Sequence, residues 1–186
     1  MERTPDTRTR IKDVALDLFT EQGYEQTSLR EIAERLGVTK AALYYHFKSK
    51  EEIVGSFMED RVTHLSDLIE WAKQQPPGPE TRREVLRRYA DAMHDDRHPR
   101  VMRFFEQNQP SLKGMVSGKQ LRERMVELVR VISEPDPSPA EELRVGLAMF
   151  ALHTAWLGFI RHELSVDERR KVALEVAYEL VADREG

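Results

Sequence analysis

Cysteine is absent from the 186-residue chain, which excludes disulfides and thiol chemistry and fits a reducing cytoplasm. The first 20 residues are charged throughout and hold no apolar signal-peptide core. Long hydrophobic runs are missing too. The longest stretch free of Asp, Glu, Lys and Arg is Val145 to Ile160, 16 residues that include His153 and Thr154. A membrane span needs roughly 20 apolar residues, so this stretch reads as a buried helix and no membrane partner is expected. No alternating β-branched run argues for a strand. Phosphate loops, nucleophile motifs and His–Glu zinc patterns are also missing, which leaves an enzyme little to work with.

What is present describes a globular protein: 40% apolar and 33% charged residues. The net charge of -4 argues at first against nucleic acid, but its distribution is uneven. Residues 1–50 hold 9 Lys/Arg and 8 Asp/Glu, a balance of +1, which leaves 20 minus 25, or -5, for the rest. The length suits a small module, residues 1–50, followed by a larger body, residues 51–186.

Nearly every segment has helical periodicity. Ile11, Val14, Ala15, Leu18 and Phe19 share one face, and Gly23 suits that helix's end. Ser28 to Glu31 forms a capping box that opens a short helix with Ile32, Ala33 and Leu36 inward, closed by Gly37. Thr39 caps a third short helix through Phe47. Ser49 to Glu52 reads as a second capping box, opening a long helix through Ala72. After the break "QQPPGPE", Thr81 to Glu84 reads as a cap for a helix burying Val85, Leu86, Tyr89, Ala92 and Met93. Ser138, Pro139 and Glu141 start a helix expected over 140–163 that is apolar nearly all round. Ser165 to Glu168 caps the last one. The expected fold class is all-α, with about nine helices.

"LGVTKAALYYHFKSKEEI" stands out within this pattern. Two short helices joined by the turn "GVTK" make a helix-turn-helix, whose later helix lies in the DNA major groove with its N-terminal residues near base edges. On a helix over 39–47, Ala42, Leu43 and Phe47 can share a face toward Ile32 and Leu36. Lys40, Ala41, Tyr44 and Tyr45 then lie opposite. Tyrosines beside lysines suit DNA: a phenol donates to phosphate, its ring packs on sugar or a thymine methyl, and Lys40 reaches a base or phosphate. His46 and Lys50 fall where phosphates flank the groove, with Lys50 at a helix N-terminus that favours anions. The competing reading, core packing between the third and fourth helices, is preferred for Leu43 and Phe47.

"TSLREIAERLGVTKAALYYHFKSKEEI" resembles the N-terminal signature of the TetR family of transcriptional regulators. The resemblance extends over residues 8–58; beyond residue 60 only the all-helical architecture agrees. It implies a homodimeric DNA-binding protein, usually a repressor, released from a palindromic operator when its body binds a small-molecule effector. No cofactor is implied. Carried over by position, Ser28 and Arg30 open the supporting helix at the DNA backbone, and Lys40, Ala41 and Ala42 fall where bases are read. Tyr44, Tyr45, His46 and Lys50 match the family's DNA-contacting aromatic, histidine and lysine positions. Ala41 and Ala42 offer only methyl contacts, which shifts base reading toward Lys40 and Tyr45.

In the body, a helix apolar all round must be buried on two sides. Leu143, Leu147, Phe150, Leu157 and Ile160, with Val172, Val176 and Leu180 of the last helix, are expected to form a four-helix dimer interface, two helices from each subunit. Trp71, Met93, Met102, Phe104, Phe105, Met115, His153 and Trp156 are candidates for a mainly apolar effector pocket, with plain core packing as the alternative. "HDDRH" offers His94, Asp95 and His98 to a metal, but a polar helix-end turn explains it as well, and no metal is expected. Two rival functions remain: a DNA-binding regulator without an effector, and a helical enzyme using His153 with Glu106 or Glu163.

Overall fold

The computed structural model describes residues 6–93, 97–112, 118–155 and 163–182, without the side chains of residues 98, 99, 106, 109 and 110. The fold is all-α: ten helices and no strand among the described residues. They are α1 (Thr7–Glu21), α2 (Leu29–Leu36), α3 (Lys40–His46), α4 (Lys50–Lys73), α5 (Pro79–Met93), α6 (Arg97–Gln107), α7 (Gln109–Leu112), α8 (Lys119–Ile132), α9 (Pro139–Thr154) and α10 (Val166–Leu180). Relative to the nine or so expected, the extra element is the single turn α7. The C-terminal part of the helix expected over 140–163 falls on residues 156–162, outside the described residues.

Local signals set most of the boundaries. The Ser28 hydroxyl accepts from the Glu31 N–H (3.2 Å) while the Glu31 carboxylate accepts from the Ser28 N–H (2.7 Å), and Ser138 with Glu141 and Ser165 with Glu168 repeat the arrangement. Each of those glutamates is held below the usual carboxylate range by the serine's hydrogen bonds. Gly37 closes α2 with φ 73°, a left-handed conformation that a side chain would strain. Two expected caps differ. The Ser49 hydroxyl does accept from the Glu52 N–H (3.2 Å), but the Glu52 carboxylate accepts from the Lys48 N–H (2.6 Å), so the reciprocal half of the box is displaced by one residue. Thr81 is no cap: α5 already begins at Pro79, and the Thr81 hydroxyl donates back to the Pro76 carbonyl (2.7 Å). Proline is at home there because a first-turn N–H has no helical partner.

The chain divides into two compact units, residues 1–61 with 96–118, and residues 62–95 with 119–186. This packing boundary falls inside α4, beyond the division expected at residue 50, and it assigns α6 and α7 to the N-terminal unit. The reason is visible in the N-terminal core. Phe104 of α6 is fully buried, its ring 5.3 Å from Phe19, 6.1 Å from Tyr24 and 6.3 Å from Phe57. Arg97 pairs with Asp13 (2.6 Å) and Arg100 with Asp17, binding α6 to α1 along one face. Ile11, Leu16, Ile32, Leu43, Phe47 and Ile53 complete this core, with Val14 and Leu36 packed at its edge.

The C-terminal unit has its own core of Leu65, Ile69, Leu86, Tyr89, Leu128, Met149, Leu152 and Ala177, among others. Ala92, expected inward, is exposed, and Ala90 is buried in its place. Arg82 is the buried charge. Its guanidinium donates to the Ile132 carbonyl (2.9 Å), the Val181 carbonyl (3.5 Å) and Glu134 (2.6 Å), tying α5 to the ends of α8 and α10. A buried cation is tolerated when its donors are satisfied in this way.

Candidate nucleic-acid interface

The third helix has room for only two turns, and its sequence assigns each turn a locked side and a free side. Leu43 and Phe47 are fully buried against the core, and the Thr39 hydroxyl accepts from the Ala42 N–H (3.1 Å) at the start. The end is held by a residue the sequence reading missed. Arg8 of α1 donates to the His46 carbonyl (3.1 Å), lies 4.3 Å over the Phe47 ring and reaches Glu59 of α4 (3.9 Å). Its basic N-terminal context, "RTRIK", was the available signal. Lys12, itself buried, pairs with Asp60 (2.5 Å) and fixes α1 to α4 a second time. Together these contacts hold α3 rigidly by its back.

Its front is open. Lys40, Ala41 and Ala42 are exposed, and Tyr45 is 81% exposed. Ala42 was expected to face the core; instead it lies outward beside Ala41, because Leu43 alone fills the inward position of that turn. Tyr44 was expected outward with Tyr45. It is partly buried and packs at the core's edge, with the Lys40 ammonium 5.4 Å from its ring. Adjacent helical residues cannot share one direction, so one tyrosine leans in and the other projects. The Tyr45 and His46 rings meet edge-on at 5.3 Å.

The flanking positions sort into positioning groups and available groups. Ser28 is occupied by its capping box, and Arg30, although exposed, pairs with Glu34 (2.7 Å). Lys50 turns inward: its ammonium donates to the Tyr24 carbonyl (2.6 Å) and the Glu25 carbonyl (3.4 Å) and lies 4.4 Å over the Tyr24 ring. The Tyr24 hydroxyl donates to Glu51 (3.0 Å), and burial with that carboxylate raises the phenol above its ordinary range. Lys50 therefore fastens the turn before α2 to the start of α4. Lys48, by contrast, is exposed and donates to the Tyr44 carbonyl, which sets its ammonium beside α3.

The residues expected to line an effector pocket fall in both units. Met102, Phe104 and Phe105 belong to the N-terminal unit, where Phe104 is core and Arg61 lies 3.0 Å from the Met102 sulfur. Trp71, Met93 and His153 belong to the C-terminal unit. Trp71 is covered by the Arg88 guanidinium at 3.8 Å, and Met93 is core. His153 Nε2 is 2.9 Å from the Tyr89 hydroxyl and its Nδ1 is 3.3 Å from the Met149 carbonyl. With Nδ1 protonated and donating to that carbonyl, Nε2 accepts from Tyr89, so both ring nitrogens are used. Met115 and Trp156 lie outside the described residues, as do His94, Asp95 and the His98 side chain. Among the described residues no group of three or more His, Cys, Asp or Glu is placed to hold a metal ion.

The dimer candidates behave differently. Leu143 (63%), Leu147 (44%) and Phe150 (55%) of α9 are exposed, with Val172 and Val176 of α10. Leu180 is partly buried against the core, and Leu157 and Ile160 lie outside the described residues. The opposite face of α9, Val145, Ala148, Met149 and Leu152, is fully inside.

Residues 11–56 match the family described as bacterial regulatory proteins, tetR family. The chain is 39% identical over 87 residues to the HTH-type transcriptional regulator AcrR of Shigella flexneri, a match spanning 46% of this chain and 40% of that protein. It is 37% identical over 62 residues to IcaR, the HTH-type negative transcriptional regulator of the biofilm operon icaADBC in Staphylococcus epidermidis, spanning 33% of this chain and 34% of that protein. Among solved structures, SmeT in complex with triclosan superposes with a TM-score of 0.66 at 21% identity, over 93% of this chain and 90% of that one. The chain thus spans less than half of the length of these curated relatives, the family match falls on residues 11–56, and the likeness in fold extends over nine-tenths of the chain. Residues 11–56 carry the helix-turn-helix of the TetR family of transcriptional regulators.

Proposed function

We propose that the protein is a homodimeric, DNA-binding transcriptional repressor of the cytoplasm that reads a palindromic operator through α3 and is released by a small apolar or amphipathic effector. The single observation that carries the DNA reading is the split character of α3. One side is locked by Leu43, Phe47 and Arg8, while Lys40, Ala41, Ala42 and a largely exposed Tyr45 are presented outward. An exposed aromatic beside lysine adds nothing to the core. Against a major groove it provides ring contact, and Lys40 supplies a donor for base edges or phosphate. Lys48, exposed beside α3, takes the phosphate role first assigned to Lys50, whose ammonium turns inward onto Tyr24.

Dimerisation is supported by the exposed apolar face of α9 and α10. Patches of that kind on a globular unit mark interaction surfaces, and a two-fold arrangement of like faces closes upon itself. The repressor sense is supported by IcaR, a negative regulator, and the effector by SmeT, which binds triclosan. Effector and operator would favour opposite arrangements of the dimer, with a reciprocal coupling on the order of 1–3 kcal/mol.

A regulator without an effector has one specific observation on its side: Tyr89 and Met93 belong to the core, and the Tyr89 hydroxyl and both His153 ring nitrogens already have hydrogen-bond partners.

The test is selection of bound duplexes from a random DNA pool. The reading requires an enriched near-palindrome whose half-sites recur about one helical turn, roughly 34 Å, or a multiple apart. Affinity for it should fall with salt by a log–log slope of roughly -0.9 per phosphate contacted. An enriched site without two-fold symmetry, or no enrichment, would overturn the reading.

A further inference from the structure

We propose that the groove between α8 and the first half of α9 is a binding site for an amphipathic monoanion, an acyl-type carboxylate whose apolar body lies over Gly146 and whose head group meets Arg122. The groove encloses about 530 Å³, within the range of roughly 300–1,000 Å³ typical of small-ligand sites. It is distinct from the interior residues around Tyr89 and His153, and it stands on the C-terminal unit alone, without requiring that the protein bind DNA.

Its floor is apolar and adaptable. Met125 and Met149 lie at its base, with Val126, Val129 and Leu143 on the walls. Behind Met125 sits the Tyr89 hydroxyl, 3.5 Å from its sulfur, so the floor is backed by packed core and not by open water. Methionine fills irregular space and yields to a ligand's shape. Between the walls, Gly146 leaves the space unfilled: a Cβ built there would meet nothing within 4 Å. Glycine inside a helix costs stability relative to alanine. Here it keeps a groove open in a helix that the protein otherwise caps with care.

The rim carries the charge logic. Arg122, Val126 and Arg130 are spaced i, i+4, i+8 and so lie along one face of α8. Arg122, Arg130 and Glu142 make no ion pair among the described residues. Arg130 is in the last turn of α8 and Glu142 in the first turn of α9, at the hairpin end joined by residues 133–138, so two arginines and one glutamate leave the described lining with one net positive charge. Among the described residues no acidic one lines the groove at the Arg122 end. The distance from Arg122 to Val129 along α8 is roughly 10 Å at 1.5 Å per residue, the length of a medium-chain acyl group. A cation would meet two arginines and one glutamate; a neutral chain would leave Arg122 unanswered.

Isothermal titration of the full chain with decanoate, decanol and decyltrimethylammonium, all below their micellar concentrations, tests this. Decanoate should bind once per chain, and the cation should not bind. Arg122→Gln should weaken decanoate about tenfold or more while leaving decanol unchanged, since a charge-assisted contact is lost and the apolar wall is kept. Gly146→Leu should abolish both by filling the groove, with thermal stability kept or slightly raised and subunit mass in sedimentation unchanged. No decanoate binding to the wild-type chain, or wild-type affinity in both variants, would overturn the proposal. A change of subunit mass on Gly146→Leu would also overturn it, by assigning the groove to a second copy of the chain.

Discussion

The two units of this molecule solve the problem of apolar surface in opposite ways. In the N-terminal unit Phe19, Leu43, Phe47, Phe57 and Phe104 are essentially inaccessible, and among its described large apolar residues Tyr45 alone is exposed. In the C-terminal unit Val126, Leu143, Leu147, Phe150, Val166, Val172 and Val176 all remain in contact with solvent. The first unit has a finished core and displays one aromatic, Tyr45, outside it. The second has a finished core on one side of α9 and an unfinished one on the other. A surface of that kind is stabilised only when something covers it. On the proposed function, reading and assembly would thus be separable properties, the first resting on α3 and the second on α9 and α10.

The sharpest way to break that separation is a charge on the unfinished face. Phe150→Glu removes an apolar contact of about 1.5–3 kcal/mol and places a carboxylate in the interface, twice over in a two-fold dimer. Sedimentation should report a monomer, while circular dichroism stays helical, because Phe150 is outside the subunit's own core. A folded dimer would move the interface elsewhere.

A cavity in the finished core should have the converse effect. Phe104→Ala should destabilise the N-terminal unit by about 3–5 kcal/mol, since Phe19, Tyr24 and Phe57 all lose a ring neighbour. Urea titration should show this as an early transition, with DNA binding lost and subunit mass kept. Unchanged urea stability would place α6 outside that unit.

Within the reading face, exposed and engaged residues should respond differently. Tyr45→Ala and Lys40→Ala should cost about 1–3 kcal/mol of operator binding without altering thermal stability, with Lys40→Ala also relaxing sequence preference. Lys50→Ala should lower stability by about 1 kcal/mol, because two backbone carbonyls lose their donor. Equal stability for the Lys40 and Lys50 variants would erase that distinction.

The smallest effect concerns acid. Glu31 in the N-terminal unit, and Glu141 and Glu168 in the C-terminal unit, are held below their ordinary range by serine caps; Glu84 is lowered to about 2 by hydrogen bonds from Arg87 and Arg88. A depressed folded value means the native state binds these protons more weakly than the unfolded chain. Their stabilisation is therefore complete above the unfolded carboxylate range, near pH 4.5, and is lost as pH falls toward about 2. Glu141 and Glu168 are exposed and Glu31 and Glu84 half-buried, so the loss should be gradual. Thermal scans should be flat from pH 7 to 5 and decline below; a decline beginning near pH 6 would implicate other groups.

Much of this was legible in the sequence because it is local. The caps at Ser28, Thr39, Ser138 and Ser165 involve partners three residues away, and helical periodicity found the faces of α1, α4, α9 and α10. The exposed row Leu143, Leu147 and Phe150 followed from one argument, that a helix apolar all round needs two neighbours. What escaped was non-local. Arg8 on His46, Lys50 on Tyr24, Lys12 with Asp60 and Arg97 with Asp13 join residues far apart in the chain, and nothing in their own neighbourhoods announces the partner. The same distance explains Phe104, which reads as a pocket aromatic in its own segment and proves to be the centre of another unit's core. Ala42 was assigned inward because a seven-residue helix offers too few positions to fix its rotation.

The separation of reading from assembly is tested most directly by the DNA affinity of the Phe150→Glu chain on a full palindrome and on an isolated half-site. With assembly removed and α3 untouched, the account predicts that half-site affinity equals the wild-type value while the full site loses its advantage. A Phe150→Glu chain that still binds the full palindrome with wild-type affinity, or one that loses the half-site as well, would contradict it.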